Sequence, residues 1–193
     1  MQKRTDDTYE QHHPPELIRD LVARKLDWRQ VKEVQSAEKD PDRFDVYISV
    51  LQEQVPWLEK ILLPIHDHLF IVAKDGKAIT KTFCGRELGD WREHWKLRVL
   101  IRPRRTREDL LEVYSENVTL DPTVVELREF ICPGCGTLLD VDAVPPHYPI
   151  ERDFFPDLRA FYKDWLGREL PVDVGDYEER STGVLHAWVS RVR

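Results

Sequence analysis

Long apolar runs are missing. Nothing in the 193 residues approaches the roughly 20 consecutive apolar residues that a membrane span requires, so no transmembrane helix is expected. The start, Met1-Gln-Lys-Arg-Thr-Asp-Asp7, is polar and lacks the apolar stretch of a secretory signal, which leads to the expectation of a cytoplasmic protein. Cysteine is scarce. Three are present, an odd number that excludes a complete intrachain disulfide framework, and in a reducing compartment such cysteines more often bind metal or do redox chemistry. The eight glycines form neither a Walker-type run nor a G-x-G-x-x-G fingerprint, so no phosphate loop is evident. A G-x-S-x-G nucleophile elbow is absent too. Positive charge is in deficit: a net charge of -7 argues against a general nucleic-acid binder, which is normally basic. The chain shows no internal repeat and no low-complexity tract.

What is present suffices for a core, with 41% apolar and 10% aromatic residues. After a polar start, Pro14 and Pro15 lead into Leu17, Ile18, Leu21, Val22 and Leu26, a one-sided helical stripe. A second helix follows Asp40, which can cap it, with Pro41 at the first helical position and Phe44, Tyr47, Ile48 and Leu51 on one face. Asp75-Gly76 between the runs 69–74 and 77–83 is a hairpin signal, because both turn positions need positive φ. Thr106 and Asp109 have the spacing of a capping box. Val124 to Ile131 reads as a strand with Thr137 to Val141 as its return. A last helix from about Asp157 carries Leu158, Phe161, Tyr162 and Trp165, and Gly167 stops it. Trp91 and Trp95, four apart, read as anchors on a helix. The expected organisation is a flexible N-terminus (1–14), a helical arm (15–66), a zinc-ribbon-like β module with an inserted helix (67–145), and a C-terminal helix and tail (146–193). The expected fold class is α+β: a zinc-ribbon-like pair of β-hairpins with peripheral helices and extended docking arms.

The sharpest local signal is Cys132-Pro-Gly-Cys-Gly136, a turn that presents two thiolates on one side. Gly134 and Gly136 tolerate the positive φ that aims backbone amides at sulfur. A redox pair would open a helix, where the dipole stabilises a thiolate; here a strand follows, which favours zinc. Cys84, before Gly85, supplies a third ligand. A closed structural site wants a fourth. With Asp75-Gly76 as a two-residue turn, facing residues sum to 151, so His68 lies opposite Phe83, one step from Cys84. His68 is therefore the expected fourth ligand, and His66, His147, Asp90 or water are the alternatives. The basic cluster Arg102, Arg104, Arg105 and Arg107 reads as a surface or subunit-contact patch before it reads as a phosphate grip.

Several stretches together resemble one family: Lys39-Asp-Pro-Asp-Arg-Phe44, Leu51-Gln-Glu-Gln-Val-Pro-Trp57, Leu69-Phe-Ile-Val72, Asp90-Trp91 with Trp95-Lys-Leu97, Glu129-Phe-Ile-Cys-Pro-Gly-Cys-Gly-Thr-Leu138, and Asp153-Phe-Phe-Pro-Asp157 with Trp165-Leu-Gly167. In order and spacing, from about residue 15 to residue 171, they are similar to the gamma subunit of acetone and acetophenone carboxylases. The resemblance implies a small, non-catalytic, zinc-bearing subunit of an ATP-dependent ketone carboxylase. Large hydantoinase-like partners would use ATP and bicarbonate to make a 3-oxo acid. It also implies cysteines at positions matching Thr82, Cys84 and Gly89, of which only Cys84 remains. That departure points to an aromatic ketone, acetophenone, ahead of acetone. The rival reading is a free-standing zinc-ribbon adaptor that binds nucleic acid or protein.

Overall fold

The computed structural model describes residues 13–38 and 40–186. The first twelve residues, which make up most of the expected flexible N-terminus, and the last seven lie outside the described part. The chain divides into two compact units, 1–55 and 56–193.

The first unit is helical. In α1 (Pro15–Val22), Pro15 takes the first turn, where its missing N–H costs nothing, and Ile18 is buried. Helix α2 (Trp28–Ser36) was not anticipated, although Asp27 and Gln30 form a reciprocal capping box at its start. Helix α3 (Arg43–Gln54) begins two residues later than expected, with Asp42 at the N-cap. Asp40 is engaged otherwise: its carboxylate accepts from the His13 amide at 2.9 Å and lies 2.7 Å from the His13 ring.

The second unit holds two antiparallel sheets, and the fold is α+β. The larger sheet runs in sequence order: β1 (Lys60–His66), β2 (Leu69–Lys74), β3 (Lys77–Thr82) and β4 (Glu87–Asp90). Residues 60–66, assigned from sequence to the helical arm, thus form a strand instead. Pro64 is compatible with this because β1 lies at the sheet edge, where one missing donor is tolerated. Asp75 and Gly76 take φ of 48° and 75°, and Lys74 faces Lys77 while Leu69 faces Thr82, the register read from the turn. The smaller sheet is β5 (Leu100–Arg104), β6 (Glu126–Ile131) and β7 (Leu138–Val144). Between β5 and β6 lies α4 (Arg107–Leu111), capped by Thr106 and Asp109 as expected. Asp157 caps α5 (Leu158–Ala160), which widens into a π-turn over residues 161–165.

Two apolar clusters hold this unit. Leu62, Ile71, Ala78, Trp91, Leu158 and Val174 pack on one another, while Leu69, Leu88, Trp95, Phe130, Cys132 and Leu139 fill the space between the two sheets. The two tryptophans four residues apart therefore do not share a helix face. Trp91 follows β4, Trp95 starts a 3₁₀ turn, and each anchors a different cluster. The C-terminal tail, expected as an extended docking arm, returns to its own unit over residues 174–177. Trp91 Nε1 donates to the Val174 carbonyl at 3.2 Å, Tyr177 stacks on Phe155 at 4.7 Å, and Val174 is buried. Among the described residues no helix is long and apolar enough to cross a membrane.

Candidate metal centre

Two strand ends meet at the second cluster. The β3–β4 turn carries Thr82 and Cys84; the β6–β7 turn carries Cys132 and Cys135. The three sulfurs lie within 4.8 Å of one another, and Cys84 Sγ to Cys132 Sγ is 3.7 Å. Metal–sulfur bonds of about 2.3 Å in a tetrahedron place sulfurs about 3.8 Å apart, so the spacing suits a shared ion. These residues could hold a metal.

The local chain explains why they converge. The Cys132 amide donates to the Thr137 carbonyl at 2.8 Å and the Gly136 amide to the Cys132 carbonyl at 2.9 Å, which closes the knuckle. Gly136 has a φ of 75°, as the pattern suggested. Gly134 plays a different part from the one read in the sequence: it lies outside the left-handed region, and a Cβ there would come within 3.0 Å of Cys84 Sγ and 3.1 Å of Arg86 Cβ. Its missing side chain is what lets the two turns touch. The Gly134 amide donates to Cys132 Sγ at 3.4 Å.

The three thiols differ. Cys132 is buried in the inter-sheet cluster, whereas Cys84 and Cys135 are exposed. The Thr137 hydroxyl, 3.2 Å from Cys135 Sγ, and the Thr137 amide bring that thiol down to about 7. Burial of the sulfur pushes Cys84 up, against the Thr82 hydroxyl, which favours the thiolate. Cys135 thus offers a thiolate near neutral pH, where a divalent ion can displace the remaining protons.

The expected fourth ligand is not part of the sulfur group. The Phe83 amide does donate to the His68 carbonyl at 2.9 Å, so His68 sits opposite Phe83, but its ring packs edge-on against the Phe83 ring at 5.8 Å. Nor are His66, Asp90 or His147 part of that group. The His66 ring lies against Trp95 at 5.9 Å, its Nδ1 accepts from the His68 amide, and burial lowers its pKa. Asp90 forms two bonds to the Arg92 guanidinium at 2.9 and 2.7 Å. His147 sits in the loop after β7 with a φ of 67°. What does stand beside the sulfurs is Thr82, whose Oγ1 is 3.3 Å from Cys84 Sγ and 3.7 Å from Cys132 Sγ.

Three arginines of the basic cluster are answered within the chain. Arg104, almost fully buried, pairs with Glu112 at 2.7 Å and Glu129 at 2.9 Å, and Arg102 pairs with Glu112 at 2.6 Å. Arg105 pairs with Glu126 at 2.7 Å. A second charged centre had no sequence signal: Lys96 is 0% exposed, and its ammonium meets Asp140 at 2.9 Å and Asp142 at 2.8 Å and also Asp153. The three carboxylates could themselves have suggested a cation site, but the lysine supplies the cation.

Comparison with known proteins agrees with this architecture. A family model described as acetone carboxylase gamma subunit matches residues 55–166, which include both knuckles. The chain is 40% identical over 156 residues to the acetone carboxylase gamma subunit of Xanthobacter autotrophicus, covering 80% of this chain and 93% of that protein. It is 32% identical over 77 residues to the acetophenone carboxylase beta subunit of Aromatoleum aromaticum, covering 39% of this chain and 60% of that one.

Proposed function

The chain belongs to the acetone carboxylase gamma subunit family, and from that premise we propose that it is the small, zinc-bearing, non-catalytic subunit of an ATP-dependent ketone carboxylase. The observation that carries this reading is the likeness to a carboxylase gamma subunit along 93% of that relative's length. In this reading Cys84, Cys132 and Cys135 hold the zinc. The ion is structural and cross-links the two sheets. Nucleotide hydrolysis and carbon–carbon bond formation, with ATP and bicarbonate, fall to large hydantoinase-like partners. The missing phosphate loop fits that division. Trp28 and Trp165, 75% and 82% exposed, are the kind of side chain that anchors a subunit contact.

As for the ketone, the lost cysteines weigh toward acetophenone, whereas the longer and closer likeness to an acetone carboxylase subunit weighs toward acetone. Extent of likeness is the stronger argument. Acetone is the first reading and acetophenone the second. The nucleic-acid adaptor loses its main support, since Arg102, Arg104 and Arg105 already face Glu112, Glu126 and Glu129. The test is to tag the chain in its native host grown on a ketone, purify it gently and identify the associated chains by mass spectrometry. Large carboxylase chains should co-purify, with ketone- and bicarbonate-dependent ATP hydrolysis in the complex and none in the isolated chain. A chain that purifies alone, or turns over the ketone alone, contradicts the reading.

A further inference from the structure

The two turns that meet at the sulfurs are built alike. The Thr82 amide donates to the Arg86 carbonyl at 2.9 Å, as the Cys132 amide does to that of Thr137, and the Gly85 amide folds back on the Thr82 carbonyl at 2.9 Å, as that of Gly136 does on Cys132. The first turn is one residue shorter, and in each the side chain accepts a backbone amide of its own turn: Thr82 Oγ1 that of Arg86 at 3.1 Å, and Cys132 Sγ that of Gly134 at 3.4 Å. Thr82 therefore occupies in the first turn the place that the buried Cys132 occupies in the second. The Thr82 side chain is likewise buried, at 1% exposure.

Distances agree with that correspondence. Tetrahedral bonds of about 2.3 Å to sulfur and about 2.0 Å to oxygen set sulfur and oxygen about 3.5 Å apart. The two separations from Thr82 Oγ1 to sulfur, 3.3 and 3.7 Å, bracket that value. The hydroxyl has the capacity needed: one lone pair accepts the Arg86 amide, the other, which the Cys132 thiol meets at 3.7 Å, becomes available to a metal that displaces the thiol proton, and the hydroxyl proton can be donated to a thiolate.

We propose that the Thr82 hydroxyl is the fourth ligand of the metal centre, which makes it a site of three thiolates and one alcohol oxygen. The inference rests on the metal reading above and goes further by naming the closing ligand. An alcohol is a weaker, neutral donor. The site carries one negative charge less than a four-thiolate site.

The test uses the full chain loaded with zinc, and with cobalt as a spectroscopic stand-in. X-ray absorption on the zinc form should show three sulfurs and one light atom around the metal. Thr82→Cys should convert this to four sulfurs and tighten zinc in a chelator competition. Thr82→Ala should weaken zinc by at least roughly tenfold, the least that loss of a supporting partner costs. Thr82→Ser, which keeps the oxygen, should restore binding. Added imidazole should leave the wild-type cobalt spectrum unchanged and shift that of Thr82→Ala, because only the variant has an open position. If Thr82→Cys keeps three sulfurs, or wild type takes imidazole as readily as Thr82→Ala, the hydroxyl is not a ligand and only this inference fails. If the wild-type chain takes up no metal at all, the metal reading fails with it.

Discussion

Replacing Cys132 by serine should abolish stoichiometric zinc binding and lower the melting temperature of the zinc-loaded chain by about 8–16 °C. Ligand linkage sets the size: free zinc at a thousand times its dissociation constant stabilises the folded state by about 4 kcal/mol. For a chain of this length each kcal/mol moves the midpoint by about 2–4 °C. The full binding energy of a structural zinc, on the order of 10 kcal/mol, belongs to chains that are unfolded without metal; here two apolar clusters also hold the unit, so the linkage value sets the expected shift. The comparison with Cys135→Ser separates ligation from packing. Both variants lose the metal, but Cys132 is part of the inter-sheet cluster while Cys135 is exposed. In chelator, Cys135→Ser should melt with wild type, whereas Cys132→Ser should still melt lower. Thermal melts with and without zinc check this. A wild type whose midpoint ignores zinc would rule out a stabilising metal.

Lys96→Met should cost about 3 kcal/mol in urea unfolding at pH 7, the low end of what removing one partner from a buried ion pair costs. Burial alone would depress the Lys96 ammonium; the hydrogen bonds it donates to Asp142, Asp153 and Asp140 overcome this and hold it well above the ordinary lysine value. Methionine keeps most of the volume against Phe130, whose ring the ammonium covers at 4.8 Å, but leaves three carboxylates facing one another. The low end applies because the Asp153 and Asp140 side chains are 64% and 36% exposed and can recover water. The sign follows from the raised folded-state pKa. The lysine's contribution is complete below the unfolded value of 10.5 and is lost only as pH rises toward the folded one, so the penalty of Lys96→Met should be flat between about pH 6 and pH 9. Replacing Asp140, Asp142 and Asp153 by asparagine in the Lys96→Met background should recover part of the loss. A penalty under about 1 kcal/mol would mean that the cluster is held by its surroundings and not by the ammonium.

How much of this could be read in the sequence depended on whether a feature was local. The Asp75-Gly76 turn fixed the β2–β3 register because a two-residue loop leaves one alignment open. The C-x-x-C knuckle and Cys84 sit at strand ends, and those ends meet. The place of the fourth residue was harder to read. Register says which residue lies across from which, but not where an imidazole turns, and His68 turned onto Phe83. A better hint was proximity along the chain: Thr82, the last residue of β3, stands two before Cys84 in the turn that follows. Helix α2 was missed although Asp27 and Gln30 spell its capping box. Strand β1 was missed because Pro64 reads as a breaker until the strand is known to lie at an edge. Lys96 was out of reach of any local pattern: two of its carboxylates are 46 and 57 residues away.

The central claim, that three sulfurs from two turns hold one metal ion, is tested most directly by native mass spectrometry of the purified chain beside its Cys84→Ser, Cys132→Ser, Cys135→Ser triple variant. The account predicts that the wild-type chain carries the mass of a single zinc, which denaturation releases, and that the triple variant carries none. A wild-type chain at its bare polypeptide mass, or a triple variant that keeps the metal, would contradict it.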